Sequence, residues 1–209
     1  MDKQNVKQAK DTEQLILEAA IQEFSAKGFD GARTSTIAAN AGVTHAMLHY
    51  YFRTKEKLFE RIFKDKIQYI ISMVLSPIVE SDGSIKERIC KGIEAHFQFL
   101  LVNKELPVFF ITTINSRPEL YSETIRELTT TANDRIKALQ SALDQAHENG
   151  EISNVKADML IGDIASLNVF PFLAYPMLMA ATGYVEEEYE AFMEMRLKEN
   201  LEIIMKRLS

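Results

Sequence analysis

Apolar residues recur every three or four positions along most of this chain of 209 residues, and the pattern breaks at polar, Gly or Pro clusters. Ile16, Ala19, Ala20 and Phe24 form the first stripe. Asp11 or Thr12 can cap the helix it predicts, and Gly28 stands where a left-handed C-terminal residue belongs. The polar residues 1–10 lack the apolar core of a signal peptide and read as a frayed tail. A second, short helix over about 34–41 turns Ile37, Ala38 and Ala41 inward, Gly42 makes a turn, and Val43 packs. Thr44 is placed to cap a third helix through Phe52, and Thr54 a fourth running to about Leu75. At 1.5 Å per residue the fourth spans on the order of 30 Å, enough to connect two domains.

Residues 76–84, with Pro77 and Gly83, are the clearest break in the pattern. Ser84 with Glu87 three positions on forms a capping box for a helix to about Val102. A short helix follows over 107–115, then a long one from Pro118 that ends at Asn149-Gly150. Residues 156–182 and 186–208 supply two more, the last with the stripe Tyr189, Phe192, Met193, Leu197, Leu201, Ile204 and Leu208. The chain therefore reads as all-α, with about nine helices, no strand pair and no internal repeat. The few glycines and prolines, 8 and 5, agree with that class. A single cysteine, Cys90, excludes an intramolecular disulfide framework, fits a reducing cytosol and reads as a small buried apolar side chain.

Charge changes the picture. The net charge of −6 argues against a polyanionic partner, yet residues 31–66 carry seven Lys/Arg against three acids, while 67–209 carry a net −8. A locally basic end on an acidic body suits a protein of which one part meets nucleic acid. The helix, short turn and helix over 34–53 have the dimensions of a helix-turn-helix. In its second helix Leu48 and Phe52 fall on one side, with Tyr51 at the edge, and Ala46, His49 and Tyr50 fall on the other, with His45 in the first turn. Imidazole and phenol groups suit base edges or phosphates, an alanine methyl suits a thymine methyl, and Lys55 beside a helix N-terminus suits a phosphate.

The run Ile16-Leu17…Ala20…Phe24…Gly28-Phe29…Ile37-Ala38…Ala41-Gly42-Val43-Thr44…Leu48-His49-Tyr50-Tyr51-Phe52…Lys55-Glu56…Leu58 resembles the DNA-binding domain of the TetR (tetracycline-repressor-type) family of bacterial regulators. The resemblance covers about 11–66 and implies a homodimer whose paired recognition helices read a palindromic operator on double-stranded DNA. It implies DNA contacts by Thr34, Ser35, Thr44, His45, Ala46, His49, Tyr50, Tyr51 and Lys55. It also implies that 67–209 form a C-terminal effector-binding and dimerisation domain, paired through the last two helices, 156–182 and 186–208. Two departures bear on the operator: position 45 is often Lys or Arg in the family, and His49 stands where Tyr is common. No motif matches beyond about residue 66.

His45 and His49 have the spacing of a shared zinc ligand pair, but Ala46 stands where the metalloprotease pattern needs Glu, and no acid or cysteine lies near on that face. No metal and no cofactor is expected. His96 reads as partly buried and His147 as a surface residue. The run 164–185 holds 22 residues without a charge, long enough to span a bilayer, but its prolines and charged flanks favour a helix covered by core and by a dimer partner. Met73, Phe97, Phe109, Phe110, Thr112, Asn168, Phe172 and Tyr175 are candidates to line a pocket for a mostly apolar effector. No nucleophile elbow, phosphate loop or metal cluster points to an enzyme. The reading is a cytoplasmic transcriptional repressor released from its operator by a small molecule. The alternatives are a similar DNA-binding protein regulated by a protein partner, or a helical enzyme or membrane-associated protein.

Overall fold

The computed structural model describes residues 3–116, 118–120, 122–183 and 185–209, and the described residues form ten α-helices and no strand. They are α1 (Lys3–Gly31), α2 (Thr34–Asn40), α3 (His45–Phe52), α4 (Lys55–Glu80), α5 (Ile85–Val102), α6 (Leu106–Ser116), α7 (Ser122–Glu148), α8 (Ala157–Leu173), α9 (Tyr175–Thr182) and α10 (Tyr189–Leu208). Short 3₁₀ turns at Pro118–Leu120 and Glu186–Glu188 precede α7 and α10. The all-helical class expected from the sequence is the one observed. Two compact units divide the chain: one runs to Ile67 and takes in Val108–Glu127, the other comprises Gln68–Pro107 and Leu128–Ser209.

The N-terminal unit is built on aromatic rings. Phe24 of α1 is fully buried and packs on Phe29, on Phe59 of α4 and on Phe109 of α6, with ring centroids 5.8, 5.9 and 5.9 Å away. Phe63 and Phe110 extend the cluster at 5.1 Å. Segment 108–127, assigned by sequence to the C-terminal domain, thus belongs to the first unit because Phe109 and Phe110 complete its core. The helix of α1 breaks at Gly28, whose φ of 67° is the positive value expected there. Its start, however, lies at Lys3 rather than at residue 11 or 12. Residues 3–10 are mostly Lys, Gln and Ala, good helix formers, so polarity alone was a poor sign of fraying.

The C-terminal unit has an aliphatic core in which Val74, Ile78, Ile89, Ile93, Leu139, Leu143, Leu160, Ile164, Ile204 and Leu208 are buried together. α4 and α5 cross closely at Gly92, where a Cβ would come within 2.8 Å of the Val74 carbonyl oxygen. α4 continues through Pro77 to Glu80, past the expected end at Leu75. Burial of Val74, Leu75 and Ile78 holds this last part of the helix despite the hydrogen bond that Pro77 cannot make. The break falls instead at 81–84, where Gly83 has φ 109° and Ser84 forms the expected capping box with Glu87.

The single helix expected over 156–182 is two, which raises the count from about nine to ten. α8 and α9 meet at a bend of 72°. Pro176, near the start of α9, has no N–H to give the Phe172 carbonyl, so the helix cannot run on. Pro171 lies inside α8 and has the same defect, leaving the Leu167 carbonyl without its intrahelical donor. There Asn200 of α10 supplies the replacement: its Nδ2 donates to Leu167 O at 3.0 Å and to Asn168 Oδ1 at 3.0 Å. Asn168 Nδ2 in turn donates to Ile93 O of α5 at 3.0 Å and lies 3.4 Å from His96 Nδ1. Asn168 and Asn200 are wholly buried, and Arg196 closes the chain by donating to Asn200 Oδ1 at 2.9 Å. No single helix among the described residues is long and apolar enough to cross a membrane, and the charge-free run is divided by the bend.

Candidate nucleic-acid interface

The entry to α2 is set by Arg33, which is extended and places its backbone N–H 3.2 Å from a carboxylate oxygen of Glu23. Glu23 is buried, and a hydrogen bond from Lys27 at 2.8 Å, aided by the Arg33 N–H, holds its carboxyl below the usual range against the opposing effect of burial. The ionised carboxylate therefore stabilises this junction at neutral pH and loses that effect as acid protonates it. α2 ends in a Schellman motif: Val43 N donates to Ala38 O at 3.0 Å and Gly42 N to Ala39 O at 3.1 Å. Gly42 takes φ 69°, which this motif requires and side-chain-bearing residues rarely adopt. Thr44 caps α3 as expected, its hydroxyl accepting from Met47 N at 3.2 Å.

These constraints fix which face of α3 looks outward. Leu48 and Phe52 are buried and Tyr51 is half-buried, whereas His45, Ala46, His49 and Tyr50 are exposed, Tyr50 to 82%. The Tyr50 ring meets Tyr51 edge to face at 5.5 Å and is otherwise turned to solvent. An open groove beside it is lined by Arg33, Thr34, Ser35, His45, His49, Arg53, Thr54 and Lys55, together with Ala32. Most sequence-selected contacts thus converge on one surface at the start of α2 and along α3, with cationic Arg33 and Arg53 exposed at its edge. Thr34 is half-buried and its hydroxyl lies 2.9 Å from His45 Nε2.

Lys55 behaves differently from the expectation of a ready phosphate ligand. Its ammonium lies 2.8, 3.2 and 3.4 Å from the carbonyl oxygens of Phe29, Ala32 and Asp30, and 4.6 Å from the centre of the Phe29 ring. Three N–H groups facing three carbonyls make it a clamp between the end of α1 and the start of α4. Sequence reading could not see this, because the partners lie more than twenty positions away. Glu23 was missed although its partners Lys27 and Arg33 lie only four and ten positions away, and a charged residue beside Phe24 in an apolar stripe was a signal.

The two histidine rings touch edge to face at 4.4 Å, but no group of three or more potential metal ligands occurs among the described residues. The suggested pocket residues fall in both units. Phe109 and Phe110 serve the aromatic core of the first unit, and the Thr112 hydroxyl donates back to Val108 and Phe109 carbonyls. In the second, Phe97 and Phe172 pack at 5.5 Å, Tyr175 packs edge-on to Tyr189 at 4.7 Å, Met73 is half-buried, and Asn168 belongs to the buried polar chain. Cys90 is half-buried, and desolvation pushes its thiol up.

Residues 16–62, which contain both helices of this interface, match the profile of bacterial regulatory proteins of the tetR family. Over these residues the chain carries the DNA-binding domain of that family. The match supports a DNA-binding transcriptional regulator, the class implied by its resemblance. It is 32% identical over 94 residues to the uncharacterized HTH-type transcriptional regulator YdgC of Bacillus subtilis, a match covering 44% of this chain and 48% of that protein. A fatty acid metabolism regulator protein of the same organism is 26% identical over 151 residues, covering 70% of this chain and 74% of the relative. Among solved structures, the transcriptional regulator FadR from Bacillus subtilis in complex with stearoyl-CoA shares the fold, with a TM-score of 0.65, 20% identity, and coverage of 94% of this chain and 99% of that one.

Proposed function

We propose that this TetR-family chain is a cytoplasmic repressor that binds a palindromic operator as a homodimer and is released by a small, mostly apolar ligand. The observation that carries the DNA part is the exposure of His45, Ala46, His49 and Tyr50 on one face of α3, beside a groove edged by Arg33 and Arg53. Such a face suits major-groove reading, with two recognition helices about one DNA turn, roughly 34–36 Å, apart. In this reading Thr34, Ser35, Thr44 and Tyr51 flank the base contacts and meet phosphates, and Lys55 keeps their frame in register. Support for pairing through α8 to α10 comes from Met159, Gly162, Ser166 and Phe170, an exposed, small or apolar row at helical spacing on α8.

Acyl-CoA is the effector class we favour, by analogy with the FadR–stearoyl-CoA complex of the same fold. Met73, Phe97, Phe172 and Tyr175 are the proposed apolar contacts. To release DNA, such a ligand must bind the DNA-incompetent state more tightly than the competent one. α4, which contributes to both units, is the candidate lever. The test is selection from a pool of random duplexes, followed by titration of the recovered duplex with stearoyl-CoA. Recovery of a palindrome, and a rise in its Kd on adding stearoyl-CoA, are the expected results. A palindrome whose Kd ignores stearoyl-CoA would reject the effector class, and a pool without sequence preference would reject the regulator.

A further inference from the structure

The two histidines of α3 make different hydrogen bonds, and the difference assigns them different work. His45 Nε2 is engaged with the Thr34 hydroxyl at 2.9 Å, which ties the start of α2 to the first turn of α3. His49 instead has Nδ1 2.7 Å from the carbonyl oxygen of Arg53. A carbonyl oxygen only accepts, so His49 Nδ1 carries a proton whatever the charge of the ring.

That carbonyl is itself held in place. Arg53 has φ 51° and ψ −50°, a region that a residue with a side chain rarely occupies. The tight turn is closed by Thr54 N–H donating to Phe52 O, and Arg53 N–H donates to His49 O at 2.9 Å. The neutral ring of His49 is thereby confined to one tautomer. Its Nδ1–H is turned back to the chain, and the lone pair of Nε2 lies on the opposite edge. Nε2 of His49 has no hydrogen-bond partner among the described residues, and the ring is exposed and lines the groove.

We propose that His49 is a specificity-determining acceptor: its Nε2 reads the exocyclic amine of adenine or cytosine in the major groove. The inference rests on the reading of α3 as the recognition helix. Adenine N6 and cytosine N4 are the amine donors in that groove, whereas guanine presents O6 and N7 and thymine presents O4. A lone pair with no proton to offer is repelled by those acceptors, so the ring rejects guanine and thymine on the contacted strand as well as favouring the amine. His45, with Nε2 already engaged, is a positioning residue whose loss weakens binding to all sequences alike.

The experiment compares selection from random duplexes by the full-length wild type, His49→Ala, His49→Phe and His45→Ala at pH 8, above the titration range of an ordinary imidazole. Melting curves followed by circular dichroism check that each variant is folded, and the Phe variant retains a ring should the smaller side chain disturb the turn. Wild type is expected to show one position per half-site restricted to adenine or cytosine on one strand, by about fivefold to tenfold. Both His49 variants should lose that preference and keep the rest of the half-site, while His45→Ala keeps the whole pattern at lower affinity. An unchanged pattern with uniformly weaker binding in both His49 variants would overturn the proposal and assign the ring to a phosphate. Absence of any selected palindrome with the wild type itself would instead remove the recognition-helix reading, and this inference with it.

Discussion

The two units hold their helices together by different means. In the first, six phenylalanines from α1, α4, α6 and the segment after Gly28 meet ring on ring, and the side chains that fix the interface are caps and clamps at helix ends. In the second, an aliphatic core is crossed by a line of buried amides and an imidazole that joins α5, α8 and α10. Rings packed at 5–6 Å leave few alternative arrangements, which suits a unit that must present α3 at one angle. Aliphatic side chains tolerate sliding far better, so the second unit depends on polar partners to select one register. Directional bonds thus stand at the helix ends in the first unit and cross the core itself in the second.

The largest expected effect comes from the aromatic side of this contrast. Phe24→Ala should cost about 3–5 kcal/mol, as loss of a fully buried ring usually does, and should take DNA binding with it. Urea unfolding of the full chain measures this. A loss below about 1 kcal/mol would mean that the cluster repacks and is not the rigid frame described.

On the polar side, burial pushes the His96 imidazole down to about 4 from an ordinary 6.5. The unfolded chain therefore takes up this proton first, so stability is complete above pH 6.5, declines as pH falls from 6.5 to 4, and changes no further from this group below that. The decline amounts to about 3 kcal/mol at most. Protonation also puts an N–H on Nδ1, opposite the amide of Asn168 that now donates to it. His96→Gln should remove this part of the acid slope; equal slopes in wild type and variant between pH 6.5 and 4 would refute the assignment.

A smaller effect sharpens the link between Asn200 and Pro171. Asn200→Leu should lose about 1–3 kcal/mol, because the Leu167 carbonyl and Asn168 Oδ1 are left buried without donors. Pro171→Ala restores the intrahelical donor to Leu167, so it should recover part of that loss in the double variant. Additive losses in a double-mutant cycle would show that the amide does not substitute for the missing N–H.

Much of this architecture was legible in the chain. The helix-turn-helix, the capping roles of Thr44, Thr54 and Ser84, and the outward face of α3 all follow from spacings of a few residues, where local geometry decides. What stayed hidden depends on partners far apart in sequence. Lys55 faces carbonyls at the end of α1, Phe109 and Phe110 join the first unit, and Asn200 reaches back to Leu167. The split between α8 and α9 was readable in principle, since Pro176 lacks the N–H that a continuous helix needs. Pro171, only five residues earlier and tolerated, shows why a proline alone does not decide.

The account turns on α3 as the surface that meets DNA, and Tyr50 is its most exposed ring. The most direct test is a titration of the operator recovered by selection with wild type and Tyr50→Ala, with oligomeric state followed in parallel. The account predicts that the variant loses specific binding at unchanged assembly. Binding at full strength by Tyr50→Ala would contradict it and move the recognition surface elsewhere.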